Sequence, residues 1–375
     1  MASPASAEEI AISLLPNQSL QLQSITVLQS LWAGYGQIYH ITASPKDSPG
    51  ETQSYILKLI TPPPKFKADD EGYTRKILSY QVEQYFYTDL APQLPQSISV
   101  AKCVASVSER NGDGTATTAM MLSDLRLEFP VAGEKRDVLN ERQVLAALDW
   151  LSGFHGLWWP RVKDMNREAL VRPPLEEVRR GHQNEKQPKR KNLNVWLNGG
   201  YTYLATRRKE FTNLAKDYDS EWRVPLTEQI QGTTTLSDMV AHVLAPMMEK
   251  GKGFAQEYMT LIHGDVKSEN LFTTTSGDAV AFYDFQYTGL GLGVCDLAKL
   301  FTCSVPLSLL VEKADENDVP REMGMQKGER QLLERYWVSL KEMSGREYEW
   351  SVFVRHWETA LVDWLRFQAS WGFWG

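Results

Sequence analysis

Cysteine is scarce in this chain: there are three in 375 residues, Cys103, Cys295 and Cys303. An odd number without paired metal-ligand spacing excludes a disulfide framework and a recognisable zinc pattern, and fits a reducing compartment. Long apolar runs are missing as well. No stretch reaches the roughly 18 apolar residues that a membrane-spanning helix needs. Glu8 and Glu9 stand where a secretory signal would carry its positive start and apolar centre, so the cytoplasm is the expected location. Nor is there an excess of positive charge. A formal net charge of -7 argues against a general nucleic-acid binder, which would show a basic footprint.

What the chain has is length enough for two domains or one two-lobed unit. It also has one dense polar stretch, His263 to Asn270, reading His-Gly-Asp-Val-Lys-Ser-Glu-Asn. Leu261-Ile262 is its buried approach, and a strand over 271–275, a turn at Ser276-Gly277-Asp278 and an apolar run over 279–283 follow it. Such a hairpin would bring Asp265, Asn270 and Asp284 to one mouth. Taken singly, each is an ordinary turn residue. Together they offer one carboxylate to orient a hydroxyl, and an amide oxygen with a second carboxylate as hard ligands of the kind magnesium prefers.

Asp-x-x-x-x-Asn followed by Asp-Phe resembles the catalytic and metal-binding loops of protein-kinase-like enzymes. His263-Gly264-Asp265 with Asp284-Phe285-Gln286 is similar to their small-molecule branch: aminoglycoside phosphotransferases, choline kinases and especially the ecdysteroid-kinase-like group. The resemblance implies an α+β, bilobal protein-kinase-like fold, with a small β-rich N-lobe over 1–125 and a larger, mostly helical C-lobe over 126–375. It implies a kinase that uses ATP and Mg2+ to phosphorylate a hydroxyl, or less readily an amine, of a small molecule, with no nucleic-acid or membrane partner. Asp265 would be the catalytic base, and Asn270 and Asp284 the magnesium ligands. Asp296 has the position of the family's structural Asp, which receives hydrogen bonds from the catalytic-loop backbone; a first-turn Asp favoured by the helix dipole is the plainer account.

Upstream, strands are expected over 20–31, 37–42 and 54–60, after a helix over 7–15 that stops at Pro16. Gly34 and Gly36, in Trp-Ala-Gly-Tyr-Gly, let the backbone approach phosphates, although two glycines alone would mark only a hairpin. Lys58 interrupts an apolar strand and must find solvent or a partner, which makes it the candidate for the ATP α- and β-phosphates. A helix over 72–90 carries Glu83, its expected ion-pair partner, with Glu71 and Asp89 as rivals. Further strands over 98–107 and 115–122 flank an Asn111-Gly112-Asp113-Gly114 turn. Backbone groups near Ser123 and Leu125 form the expected adenine-binding hinge; the family usually has an acidic residue where Ser123 stands.

Downstream, a helix over 140–155 ends in Phe154-His155, with His155 read as structural. Trp158, Trp159, Trp196, Tyr201 and Tyr203 make either a cage for a cationic or flat substrate or ordinary core. The basic run from Arg179 to Lys191 reads as a solvated loop or an anion-recruiting patch. Amphipathic helices close the chain over 329–343 and 348–370. Lys267 is the best sign of a protein Ser/Thr kinase. Against it stand Gly264 for the usual Arg, Gln286 for the usual Gly, and the short interval from Asp284 to Asp296, which leaves no activation segment. A catalytically inactive kinase-like binding module is the other alternative.

Overall fold

The structure, a computed structural model, describes residues 6–16, 19–48, 50–63, 70–110, 116–183, 194–245, 256–311 and 324–373. The expected turn at 111–114 and most of the basic run, 184–191, lie outside these residues.

A five-stranded antiparallel sheet comes first. Its strands β1 (Leu20–Ser30), β2 (Gly36–Pro45), β3 (Gln53–Ile60), β4 (Cys103–Arg110) and β5 (Ala116–Ser123) lie in the order β1-β2-β3-β5-β4. Alternation along the strands gives the sheet two apolar faces. Leu57, Leu59, Ala119 and Met121 point outward and pack under the N-terminal helix α1 (Ala7–Leu14), with Ile10, Ala11 and Leu14. Ser6 and Glu9 form a capping box that starts this helix. Ile60, Met120 and Leu122 point inward and join the main core, and Lys58 shares their face.

Helix α2 (Glu71–Tyr85) covers that inner face and continues through a π-helical turn, Phe86–Leu90. Val82, Glu83 and Phe86 are buried along it. The strand expected from Ile98 starts only at Cys103. Ile98 is instead buried against Gly153 of the next long helix, and Val100 makes a single bridge to Phe282.

The remainder of the described chain is mostly helical. Its axis is α3 (Glu141–Trp158), whose Val144, Ala147, Leu148, Leu151 and Phe154 are fully buried. The helices Lys327–Ser344 and Trp350–Ser370 complete this part, the former packed on α3. Asn140 caps α3: its side chain accepts from Gln143 N–H at 3.1 Å, and Gln143 returns a bond to Asn140 N–H at 2.9 Å. Gln143 also donates to Thr273 on the functional hairpin at 3.3 Å. Asn140→Ala should therefore cost about 1 kcal/mol of stability, read as a lower urea midpoint at unchanged slope.

Two strand pairs deliver the polar loops. Leu271–Thr273 pairs antiparallel with Val280–Phe282, and Gly289–Leu292 with Met259–Ile262. Their ends send loops 263–270 and 283–288 to one edge, opposite Lys58. Among the described residues no helix is long and apolar enough to cross a membrane.

Candidate active site

Lys58 Nζ lies 2.7 and 2.6 Å from the two carboxylate oxygens of Glu83 and 3.3 Å from Asp284 Oδ1. The pair is buried, with side-chain exposures of 8% and 2%. Burial works against the Lys58 ammonium, but Glu83 and Asp284 hold its pKa above the ordinary lysine value. The rivals are occupied elsewhere. Glu71 accepts the backbone N–H groups of Arg208 and Lys209, and Asp89 takes the Thr88 hydroxyl.

Asp265 is buried beside Asn270, whose amide nitrogen donates to the Asp265 carbonyl at 2.8 Å and to Oδ2 at 3.0 Å. Lys299, on the helix Gly293–Cys303, donates to Oδ1. Lys267 Nζ stands 3.8 Å from Oδ2 and is held by Glu269.

The loop is held from beneath by Asp296. Its Oδ2 accepts His263 N–H at 2.7 Å and its Oδ1 accepts Gly264 N–H at 2.8 Å, while His155 Nε2 stands at 3.1 Å. His155 is fully buried, with its other nitrogen 2.7 Å from the Tyr336 hydroxyl. Burial lowers the pKa of the His263 ring against the pull of Asp296. The neutral ring fits its partners: Nε2 donates to the Tyr283 carbonyl at 3.0 Å, and Nδ1 accepts Asp265 N–H at 3.1 Å. One imidazole thus joins the backbone of Asp265 to the residue before Asp284. Gly264, at φ +83, is required here because an added Cβ would lie 2.2 Å from the Tyr287 carbonyl oxygen.

Asp284 has a left-handed backbone, φ 64. Phe285 is fully buried and stacks on Phe86 with centroids 3.6 Å apart. Burial works to raise the Asp284 carboxyl, and the ammonium groups of Lys58, Lys76 and Lys267 hold it below its ordinary value. Gln286 Nε2 donates to Asp284 Oδ1 at 2.6 Å, and its carbonyl oxygen takes Lys76 and Ser79 from α2, each at 3.1 Å.

A family model described as the ecdysteroid kinase-like family matches residues 35–317, three quarters of the chain. The chain belongs to that family. No curated protein matches it. Among solved structures, an amicoumacin kinase in complex with AMP-PNP, Ca2+ and Ami is 13% identical, over 98% of this chain and 88% of that one, at a TM-score of 0.45. A macrolide 2'-phosphotransferase from Brachybacterium faecium is 11% identical, over 97% and 91%, at 0.46. A Plasmodium vivax ethanolamine kinase is 14% identical, over 95% and 76%, at 0.39.

In this ecdysteroid kinase-like chain the glycine turn has φ +74 at Gly34 and φ +139 at Gly36, with Ala33 also positive at 57. Gly36 tolerates no side chain, since a Cβ would lie 2.0 Å from the Leu59 carbonyl oxygen. At the expected hinge, Ser123 N–H donates to the Lys102 carbonyl at 2.8 Å, and Ser123 Oγ accepts Lys102 N–H at 2.9 Å. That N–H is committed to the sheet. Leu125 opens a short 3-10 turn, with its carbonyl accepting from Glu128 and Phe129. Between the two, Asp124 is pinned by Arg126 and Ser54. Burial would raise its carboxyl, but these hydrogen bonds bring it down to about 2.

Three of the five aromatic residues belong to the core. Trp158, Trp159 and Trp196 are buried in the core, and Trp196 Nε1 donates to the Gln286 carbonyl at 2.8 Å. Tyr203 is half-buried, its hydroxyl pushed up to about 12 by burial. Tyr201 already carries the chain's own cations, Arg207 at 3.8 Å and Lys299 at 4.8 Å from its centroid.

Lys299 and Lys76 are the site residues that sequence reasoning missed. Lys299 sits inside the apolar run Leu297-Ala298-Lys299-Leu300-Phe301, the same signal that singled out Lys58. Lys76 had no such signal, because its helix has a mixed polar face.

Proposed function

We propose that this chain transfers the γ-phosphoryl group of ATP, with magnesium, to a hydroxyl of a small molecule. Residues 1–125 would form the lobe above the nucleotide and 126–375 the lobe that presents the acceptor. The observation that carries this reading is the carboxylate that one root of the hairpin brings to a buried lysine: Asp284 lies 3.3 Å from Lys58, while Asp265 is fastened to Asn270 at the hairpin's other root.

The donor set suits magnesium. Hydrogen bonds from Lys58 and Gln286 fall on Oδ1 of Asp284, leaving Oδ2, and Asn270 uses its nitrogen, leaving its oxygen. Bound there, the ion would neutralise charge on the phosphates. Lys58, fixed by Glu83, faces the α- and β-phosphates, and the turn at Gly34 and Gly36 covers them. Asp265 accepts the hydroxyl proton, with Asn270 and Lys299 fixing the direction of its carboxylate. His263 ties both loops to one register.

The short interval from Phe285 to Thr288 runs straight into the strand Gly289–Leu292 and then the helix from Gly293. This favours a small acceptor over a peptide, which would need a docking platform. Lys267, held by Glu269, adds nothing to the protein-kinase alternative.

Millimolar ATP should raise the melting temperature only when magnesium is present; a ligand at a hundred times its Kd contributes about 2.7 kcal/mol. A metabolite library should then contain acceptors that stimulate ATP consumption and gain the mass of one phosphate. Failure to bind nucleotide at millimolar ATP would point to the inactive binding module instead.

A further inference from the structure

We propose that Lys76, delivered from α2, is the cation that contacts the phosphoryl group in transit. This rests on the phosphotransferase reading and assigns a residue that neither the motifs nor the family match supplies. The other three lysines of the cleft each touch a carboxylate: Lys58 has Glu83 and Asp284, Lys267 has Glu269, and Lys299 has Asp265. Lys76 is different. Among the described residues its ammonium meets only the neutral Gln286 carbonyl at 3.1 Å and the Tyr80 ring at 4.9 Å from the centroid. Burial lowers its pKa, as expected for a cation with no anion in contact.

Its place in the cleft gives the partner. Gln286, which takes the ammonium at 3.1 Å, also donates to Asp284 Oδ1 at 2.6 Å, so Lys76 stands one side chain away from that carboxylate. Asp265 already has its own cation in Lys299. Lys76 is therefore the cation without an anion in contact beside the carboxylate proposed to hold the metal. In the proposed transfer the acceptor oxygen bonds to the γ-phosphorus as the bond to the β–γ bridging oxygen breaks. The hydroxyl proton passes to Asp265, and the electron pair leaves on ADP. Charge then spreads over three equatorial oxygens, and a compact ammonium serves them as a point charge. Lys267, the lysine nearest in sequence to Asp265, is held by Glu269 instead. Gln286 completes the device, because an amide keeps Lys76 in place without neutralising it.

The test compares two nucleotides on the full chain. Lys76→Met should bind magnesium-ADP within about twofold of the parent, and a non-hydrolysable ATP analogue about 10- to 100-fold more weakly by titration calorimetry. Lys76→Arg should regain most of that loss. The melting temperature of Lys76→Met should fall far less than that of Lys58→Met, because no carboxylate loses a cation in contact with it. Equal weakening for both nucleotides, or for neither, would overturn the assignment. An unsubstituted chain that binds neither nucleotide would overturn the phosphotransferase reading itself, a separate and recognisable failure.

Discussion

Asp265→Asn should lower phosphoryl transfer by about a hundred- to ten-thousand-fold while leaving magnesium-ATP binding close to that of the parent. Asparagine keeps the shape and can still face Asn270, but it cannot take a proton from the acceptor hydroxyl. The substitution also removes the anion that Lys299 touches. That side effect is limited by the lysine itself. Burial brings the Lys299 ammonium down to about 7, so without the carboxylate it can shed its proton rather than remain a stranded charge. The fold should therefore survive, and the loss should fall on turnover. Initial rates beside calorimetric ATP affinity would check this. Turnover within tenfold of the parent would remove Asp265 from the role of base.

What the sequence disclosed and what it withheld follow from where each signal lies. The hairpin from Asp265 to Asp284 was legible because its turn residues and apolar runs are local, and the structure keeps its two strands at 271–273 and 280–282. Lys58 was legible because a charge that interrupts an apolar strand must find a partner; that Leu57 and Leu59 face the opposite way is what the structure adds. Partners far apart in sequence were harder. Glu83 could be preferred over Glu71 and Asp89 only through a motif, because nothing local records that Glu71 would be taken by the backbone of Arg208 and Lys209. The strand expected from Ile98 failed because its first apolar residue belongs to the core under α3, a tertiary contact that a period of two cannot distinguish from a sheet face. Tyr201 could be read as cage or as core, because composition does not reveal that Arg207 and Lys299 lie against it. Lys299 was a different kind of failure: its signal, a charge inside an apolar run, was present and was not used.

Lys58→Met should be the most destabilising single change in the site, by about 3–5 kcal/mol, because it leaves Glu83 buried without its cation. Glu83 is 1% exposed, so water cannot replace the ammonium. The sign of the pH dependence follows. Burial already raises the Glu83 carboxyl to about 7 against the pull of Lys58, and without that cation its folded-state pKa would lie further above the unfolded value. A carboxyl raised in this way favours the fold when protonated, so the deficit against the parent should shrink as pH falls and be greatest at alkaline pH. Adding Glu83→Gln to Lys58→Met removes the stranded charge and should restore most of the stability. It should restore none of the activity, because the cation meant for the phosphates is still missing. Urea denaturation at pH 6 and 8, beside initial rates, separates these outcomes. A double variant no more stable than Lys58→Met would mean that lost packing, not an unpaired carboxylate, sets the cost. Stability regained with transfer still absent would give Lys58 two separable tasks, one of them to let an acidic side chain exist in the core at all.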